Sequence, residues 1–157
     1  MYEGSQSIDD KPEPKDYVRE VTARYIGPRR KSRVIRSAAD AAEFMRPLLR
    51  DHAREHMFAL YLNGGHRVIS HSLVSLGTAQ STLVHAREVF QTALLVGACA
   101  VLLGHNHPSG ELNESPEDLH VTRRILQAGS MLGIPLLDHV IFSSEGCVSL
   151  RDKGHID

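Results

Sequence analysis

The segment that most constrains this chain is an apolar run, residues 98–103, that leads directly into two closely spaced histidines. Six consecutive apolar residues predict a strand covered on both faces, because a half-exposed strand would alternate apolar and polar residues. Such a strand needs further elements on each side of its sheet, so it predicts a layered α/β domain. With 157 residues, the chain is long enough for one domain with a sizeable core.

The remaining patterns predict helices and strands in alternation. Two apolar runs separated by Asn63-Gly64-Gly65 indicate a β-hairpin. The predicted elements are a helix from Ser37 or Asp40 to about Leu49, strands over 57–62 and 67–76, a helix over 81–95, a strand over 98–103, a helix from Pro116 to about Leu132 capped by Gly133, and strands over 134–142 and 147–150. Together they predict an α/β (α+β) fold with a central mixed β-sheet flanked by helices.

The N-terminal part of the chain is the least patterned. Residues 1–15 are polar and include two prolines, which predicts a disordered tail before a single domain over residues 16–157. Residues 16–26 give a weak strand pattern. Residues 27–33, Gly-Pro-Arg-Arg-Lys-Ser-Arg, either contact phosphate groups or form a solvated loop. The lack of interleaved aromatic residues favours the loop.

Charge and hydropathy limit the classes of function. A net charge of −1 gives no overall field that would attract nucleic acid or an anionic membrane. The longest apolar run, residues 93–103, is too short to cross a bilayer, and the N-terminus lacks the apolar core of a signal peptide. We therefore expect a cytoplasmic protein with no membrane association. Cys99 is expected to be a buried free thiol rather than part of a disulfide framework.

Two imidazoles and one carboxylate form a candidate metal site. His105 and His107 end the predicted strand, where a spacing of two points both side chains to the same side. Asp118 follows in the first turn of the next helix. Nitrogen and oxygen ligands suit zinc, with iron, manganese or cobalt as alternatives. Three protein ligands leave a fourth position for water, which is typical of a catalytic zinc.

Asp118 has a competing role at the start of its helix. Ser115 is a good N-cap, and Asp118 can accept a hydrogen bond from the Ser115 backbone N–H in a capping box. Helical spacing also places Asp118 on the least polar stripe of the helix. That stripe comprises Val121, Thr122, Ile125, Ala128, Gly129 and Leu132. A carboxylate there is costly unless it is paired or bound to metal, so the sequence favours ligation over capping alone.

The order His105, His107, Pro108, Ser115 and Asp118 resembles the His-x-His-Pro-x6-Ser-x-x-Asp signature of the JAMM metalloproteases of the JAB/MPN domain superfamily. More narrowly, the chain resembles the RadC family of bacterial proteins over about residues 40–152. Further matching segments are Arg54-Glu55-His56, Leu62-Asn63, Gly77-Thr78, and residues 87–90, 104–110 and 137–139. The resemblance implies a cytidine-deaminase-like JAB/MPN fold.

The resemblance also implies a function and roles for site residues. His105, His107 and Asp118 would hold Zn²⁺, and Glu55 would be the general base on the metal-bound water that attacks an amide carbonyl. Ser115 would position that water or stabilise the oxyanion, a role that competes with helix capping. From its sequence context alone, Glu55 reads as a solvated charge. The implied activity is that of a metallopeptidase or isopeptidase, whose substrate and oligomeric state the sequence leaves open.

The alternative function is linked to nucleic acid. RadC-like proteins are associated with DNA repair and recombination, which would make DNA or DNA-processing proteins the partners. Longer family members carry an N-terminal helix-hairpin-helix region, for which we expect no room in this chain, and this expectation argues against direct DNA binding. The chain also departs from the family pattern at Ala86 and Glu114, where proline is common.

His139, next to Asp138 on a predicted strand, has two readings. It is either a strand histidine held by ordinary hydrogen bonds or a residue that supports the metal ligands from behind. The other histidines outside the motif show no partner pattern and are assigned to surface or ordinary packing. They are His52, His56, His66, His71, His85, His120 and His155.

Overall fold

The computed structural model describes residues 24–77 and 84–157, which form one sheet with helices on both sides. In chain order the elements are α1 (Ala38–Met45), a 3₁₀ turn (Arg46–Leu48), β1 (Glu55–Leu62), β2 (Val68–Gly77), α2 (Ala86–Val96), β3 (Ala100–Asn106), α3 (Pro116–Leu132), β4 (Leu136–Phe142) and β5 (Cys147–Ser149). Among these helices, none has the length and apolar character that crossing a bilayer requires.

The five strands form a mixed sheet in the order β2-β1-β3-β4-β5. β1 pairs antiparallel with both β2 and β3, β4 pairs antiparallel with β5, and β3 and β4 run parallel. The parallel pair is connected through α3, because parallel neighbours need a crossover. β1 and β3 are buried along their whole length, which confirms the expectation drawn from the apolar run.

Alternating residues of the central strands serve two cores. Met57, Ala59 and Tyr61 of β1 join the core under α2 and α3, whereas the residues between them join the core under α1. Gly104 lies on the α1 side, where an added Cβ would collide with the Met45 side chain. The mixed α/β architecture predicted from the sequence is therefore confirmed, and it is consistent with a JAB/MPN fold.

Several local expectations need correction. α2 begins at Ala86 after an N-cap at His85, later than the predicted start at residue 81, and residues 81–83 lie outside the described part. Of the weak strand pattern over 16–26, residues 16–23 also lie outside it, as do residues 1–15, and residues 24–26 are not in a strand. Cys99 is exposed rather than buried. Leu132, at the end of the least polar stripe of α3, is 46% exposed.

Candidate metal centre

The sheet brings Glu55 and the histidine pair to one end. Met57 of β1 pairs with His105 of β3, and continuing this antiparallel register by two residues places Glu55 level with His107. Strand alternation puts Glu55 and His105 on the same face as Met57, under α3. β3 extends to Asn106, so His105 belongs to the rigid strand and His107 to the loop after it.

Asp118 reaches this end of the sheet from the first turn of α3. Its Oδ2 accepts a hydrogen bond from the Ser115 backbone N–H at 2.8 Å, and its own N–H donates to Ser115 Oγ at 3.1 Å. The capping box is therefore formed. The same carboxylate places Oδ1 3.2 Å from His105 Nε2 and Oδ2 3.6 Å from His107 Nε2. Capping and facing the histidines, treated as competitors in the sequence, coexist in one side chain.

The three candidate ligands converge on a small volume. The Nε2 atoms of His105 and His107 lie 2.9 Å apart. One ligand atom from each of the two rings and the Asp118 carboxylate fit within 4.8 Å of one another. His105 is fully buried and Asp118 is 6% exposed, so little water is available to solvate the charge of the carboxylate.

The hydrogen bond at Nδ1 of His107 determines whether its Nε2 carries a proton or a lone pair. His107 Nδ1 lies 2.8 Å from the carbonyl oxygen of Glu111, which can only accept, so Nδ1 carries the proton. In the neutral ring, Nε2 then presents a lone pair toward Asp118. Lone pairs that meet a carboxylate need a cation between them, either a proton or a metal ion. Two imidazole nitrogens and a carboxylate oxygen fit a divalent metal such as zinc.

The pKa shifts of Asp118 and His107 also favour a cation at this position. Burial would raise the pKa of the Asp118 carboxyl, but the imidazoles of His105 and His107 beside it outweigh burial and hold that pKa far below its usual range. The nearby Asp118 carboxylate in turn raises the pKa of His107. A cationic partner for this carboxylate is thus strongly favoured, and a bound metal ion would replace the proton.

Glu55 and Ser115 line the same open cavity as His107. This cavity has a volume of about 490 Å³. Glu55 is 7% exposed, and burial raises the pKa of its carboxyl, which is not the solvated charge that its local sequence indicates. Ser115 Oγ accepts the capping bond, yet a hydroxyl has one further proton to donate. The predicted ligands and the predicted catalytic residues all lie at this end of the sheet, and their roles stay predictions. They are His105, His107, Asp118, Glu55 and Ser115.

Asn106 was missed by sequence reasoning. Its side-chain oxygen accepts from the His56 N–H at 2.7 Å, and its side-chain nitrogen donates to the Arg54 carbonyl at 3.0 Å. Asn106 therefore holds the backbone on both sides of Glu55. The alternation of strand residues is the signal that could have found it, because the residue between two ligands must face the opposite side of the sheet.

His139 lies behind the candidate ligands. It is fully buried, and its Nε2 is 2.8 Å from His105 Nδ1. Its Nδ1 is 2.7 Å from Thr122 Oγ1. Burial lowers the pKa of His139 to about 3. His139 is thus a strand histidine held by hydrogen bonds to α3 and β3. Because its β3 partner is the candidate ligand His105, the two readings of the sequence are compatible, and a supporting role behind the metal ligands stays a prediction.

Comparison with known proteins adds a family to this geometry. A family model described as RadC-like JAB domain matches residues 35–155. Similar proteins include the UPF0758 proteins of Methanococcoides burtonii, 42% identical over 79% of this chain and 54% of that protein, and of Shouchella clausii, 46% identical over 77% and 53%. The UPF0758 protein of Pelodictyon phaeoclathratiforme is 42% identical over 76% and 54%. The chain spans about half the length of the curated relatives it matches.

Proposed function

This chain belongs to the RadC-like JAB domain family, and from that premise we propose that it is a zinc-dependent hydrolase of amide bonds in peptides or isopeptides. The observation that carries the proposal is the convergence of His105 Nε2, His107 Nε2 and the Asp118 carboxylate within 4.8 Å. These three groups would hold the ion, and three protein ligands leave a fourth position free, as in catalytic zinc sites.

A bound zinc ion would act as a Lewis acid and lower the pKa of a water molecule. Glu55 supplies the base. Its raised pKa brings the carboxyl closer to working pH, which suits a group that must both accept and return a proton. In this proposal Glu55 takes the proton from the attacking water and delivers it to the leaving nitrogen. Ser115 donates its hydroxyl proton to the carbonyl oxygen of the substrate as negative charge develops there.

The test combines metal content with turnover. The wild-type protein is expected to bind about one zinc per chain and to cleave members of a defined peptide library that includes lysine ε-linked peptides, with products read by mass spectrometry. Glu55→Gln should retain the zinc and lose cleavage. A wild-type protein that binds no zinc, or a Glu55→Gln variant that cleaves as well as wild type, would overturn the proposal.

A nucleic-acid-linked role is the second candidate, and exposed cations favour it. Arg29, Arg30 and Lys31 are exposed on an irregular segment, as a phosphate-binding surface requires. Arg33 contributes less free charge, because it pairs with Asp40 and Glu43. Binding of duplex DNA that weakens steeply with salt, and that is lost when Arg29, Arg30 and Lys31 are neutralised, would support this role. Binding that is unchanged by those substitutions would exclude it.

A further inference from the structure

We propose that His139 and Thr122 are positioning residues that fix the tautomer of His105, so that its Nε2 is left unprotonated for the metal. The inference rests on the proposed function and concerns a hydrogen-bond chain that begins at one candidate ligand and ends at another. We call His105, His139, Thr122 and the Asp118 backbone carbonyl the buried chain. His105, His139 and Thr122 are each fully buried, so no solvent competes with the bonds among them.

The direction of the buried chain is set at the Asp118 carbonyl. Thr122 Oγ1 lies 2.7 Å from this oxygen, one helical turn earlier. A carbonyl oxygen can only accept, and two oxygens at this distance repel unless a proton lies between them. The single hydroxyl proton of Thr122 is therefore directed to Asp118.

The remaining bonds follow from that assignment. Because its proton is used, Thr122 Oγ1 can only accept from His139 Nδ1 at 2.7 Å, so His139 is protonated on Nδ1. His139 Nε2 is then an acceptor, and the bond of 2.8 Å from His105 Nδ1 requires the proton on His105. His105 Nε2 is left with a lone pair, 3.2 Å from the Asp118 carboxylate.

Asp118 thus acts at both ends of the buried chain. Its carboxylate faces His105 Nε2, and its backbone carbonyl orients Thr122. The reverse direction would need Thr122 to donate to His139 and leave the two oxygens of Thr122 and Asp118 in unrelieved contact. The core thus directs the proton of His105 to Nδ1, and the Nε2 lone pairs of His105 and His107, 2.9 Å apart, are left facing the position that the metal ion would take.

The test reads histidine tautomers by ¹⁵N NMR and zinc affinity by competition titration, in wild type, Thr122→Val and Thr122→Ser. We expect His139 to carry its proton on Nδ1 in wild type, with and without zinc. Valine cannot accept from Nδ1, so in Thr122→Val the proton should move to Nε2 and the zinc Kd should weaken about 10–100-fold. Serine keeps the hydroxyl, and its Kd should stay within about threefold of wild type.

Two results would overturn the inference: His139 protonated on Nε2 in wild type, or a Thr122→Val variant that binds zinc as tightly as wild type. If Thr122→Val does not fold, the wild-type tautomer alone decides. A wild type that shows the expected His139 tautomer but binds no zinc would support the direction of the buried chain and exclude the proposed function. The two ideas therefore fail separately.

Discussion

The two candidate histidine ligands reach the same chemical state by different means. His105 sits on a strand, is fully buried and is oriented by the side chains of the buried chain. His107 follows the strand, is partly exposed, and is oriented by the carbonyl of Glu111 in a loop. The first arrangement ties ligand geometry to the core, and the second leaves the open cavity free for a substrate. The position of His105 therefore depends on how the core folds, whereas the position of His107 depends on the loop beside the open cavity.

The largest difference is expected when each histidine is removed. His105→Ala and His107→Ala should both abolish stoichiometric zinc binding, since each removes one of three ligands. His105→Ala should also lower the free energy of unfolding by about 3 kcal/mol, because it leaves a cavity and a buried His139 without its donor. His107→Ala should cost less than about 1 kcal/mol. Denaturant unfolding of the metal-free variants measures both free energies of unfolding. Equal decreases in the two variants would contradict the claim that only His105 is tied to the core.

Glu55 belongs neither to the buried chain that orients His105 nor to the loop that orients His107. Its substitution should therefore lower turnover without changing zinc affinity. Glu55→Gln keeps the shape of the side chain and removes the base, so turnover should fall about 100-fold or more. Zinc affinity should be unchanged, since Glu55 is not among the three ligands. Glu88, an exposed glutamate on α2, provides the control, and Glu88→Gln should retain full turnover. A weakened zinc Kd in Glu55→Gln would place Glu55 among the ligands and contradict its assignment as base.

A smaller effect is expected at the loop that orients His107. Gly110 has a φ of +82°, and its N–H donates to the His107 carbonyl at 2.9 Å. Gly110→Ala strains this turn by about 1 kcal/mol and should displace the neighbouring Glu111 carbonyl. The expected result is a zinc Kd weakened about threefold to tenfold, at the lower end of supporting-residue effects. Gly64→Ala, in the hairpin turn with open space around its Cα, should leave the Kd unchanged.

The smallest effect concerns pH and the exposed rim of the site. Hydrogen bonds with Lys153, the backbone and His155 lower the pKa of Glu114 to about 2 from 4.5. A depressed pKa stabilises the fold above the unfolded value of 4.5, and the contribution is lost as pH falls toward 2. Because the ion pairs lie at the surface, the loss should be below about 1 kcal/mol. Glu114→Gln should remove this component from the pH dependence of unfolding, and an identical pH profile would contradict it.

Most helices and strands were predictable because hydrophobic patterning and capping preferences agreed with each other along the sequence. The apolar run gave a fully buried strand, and Ser115, Pro116 and Gly133 begin and end α3 where capping preferences place them. The start of α2 was less predictable, because Val84 continues the apolar pattern although it is not helical, and the helix begins at Ala86. Cys99 was misplaced because an apolar run was read as buried throughout, whereas β3 begins one residue later.

At the candidate site, the residues were predictable and their connections were not. The spacing of His105, His107 and Asp118 suggested ligation from sequence alone. The contact of His139 with His105 depends on the parallel pairing of β3 and β4, which aligns His139 with Leu103 and joins residues 34 positions apart. No local pattern contains that register. The hydrogen bonds of Asn106 to the backbone on both sides of Glu55 likewise depend on the β1–β3 pairing.

The most direct test of the account is a crystal structure of the zinc-loaded protein with an anomalous difference map at the zinc edge. We predict one zinc at about 2.0–2.2 Å from His105 Nε2, His107 Nε2 and an Asp118 carboxylate oxygen. We also predict that the bond from His105 Nδ1 to His139 is retained. Zinc bound elsewhere, zinc coordinated through Nδ1 of either histidine, or no ordered zinc at this end of the sheet would contradict it.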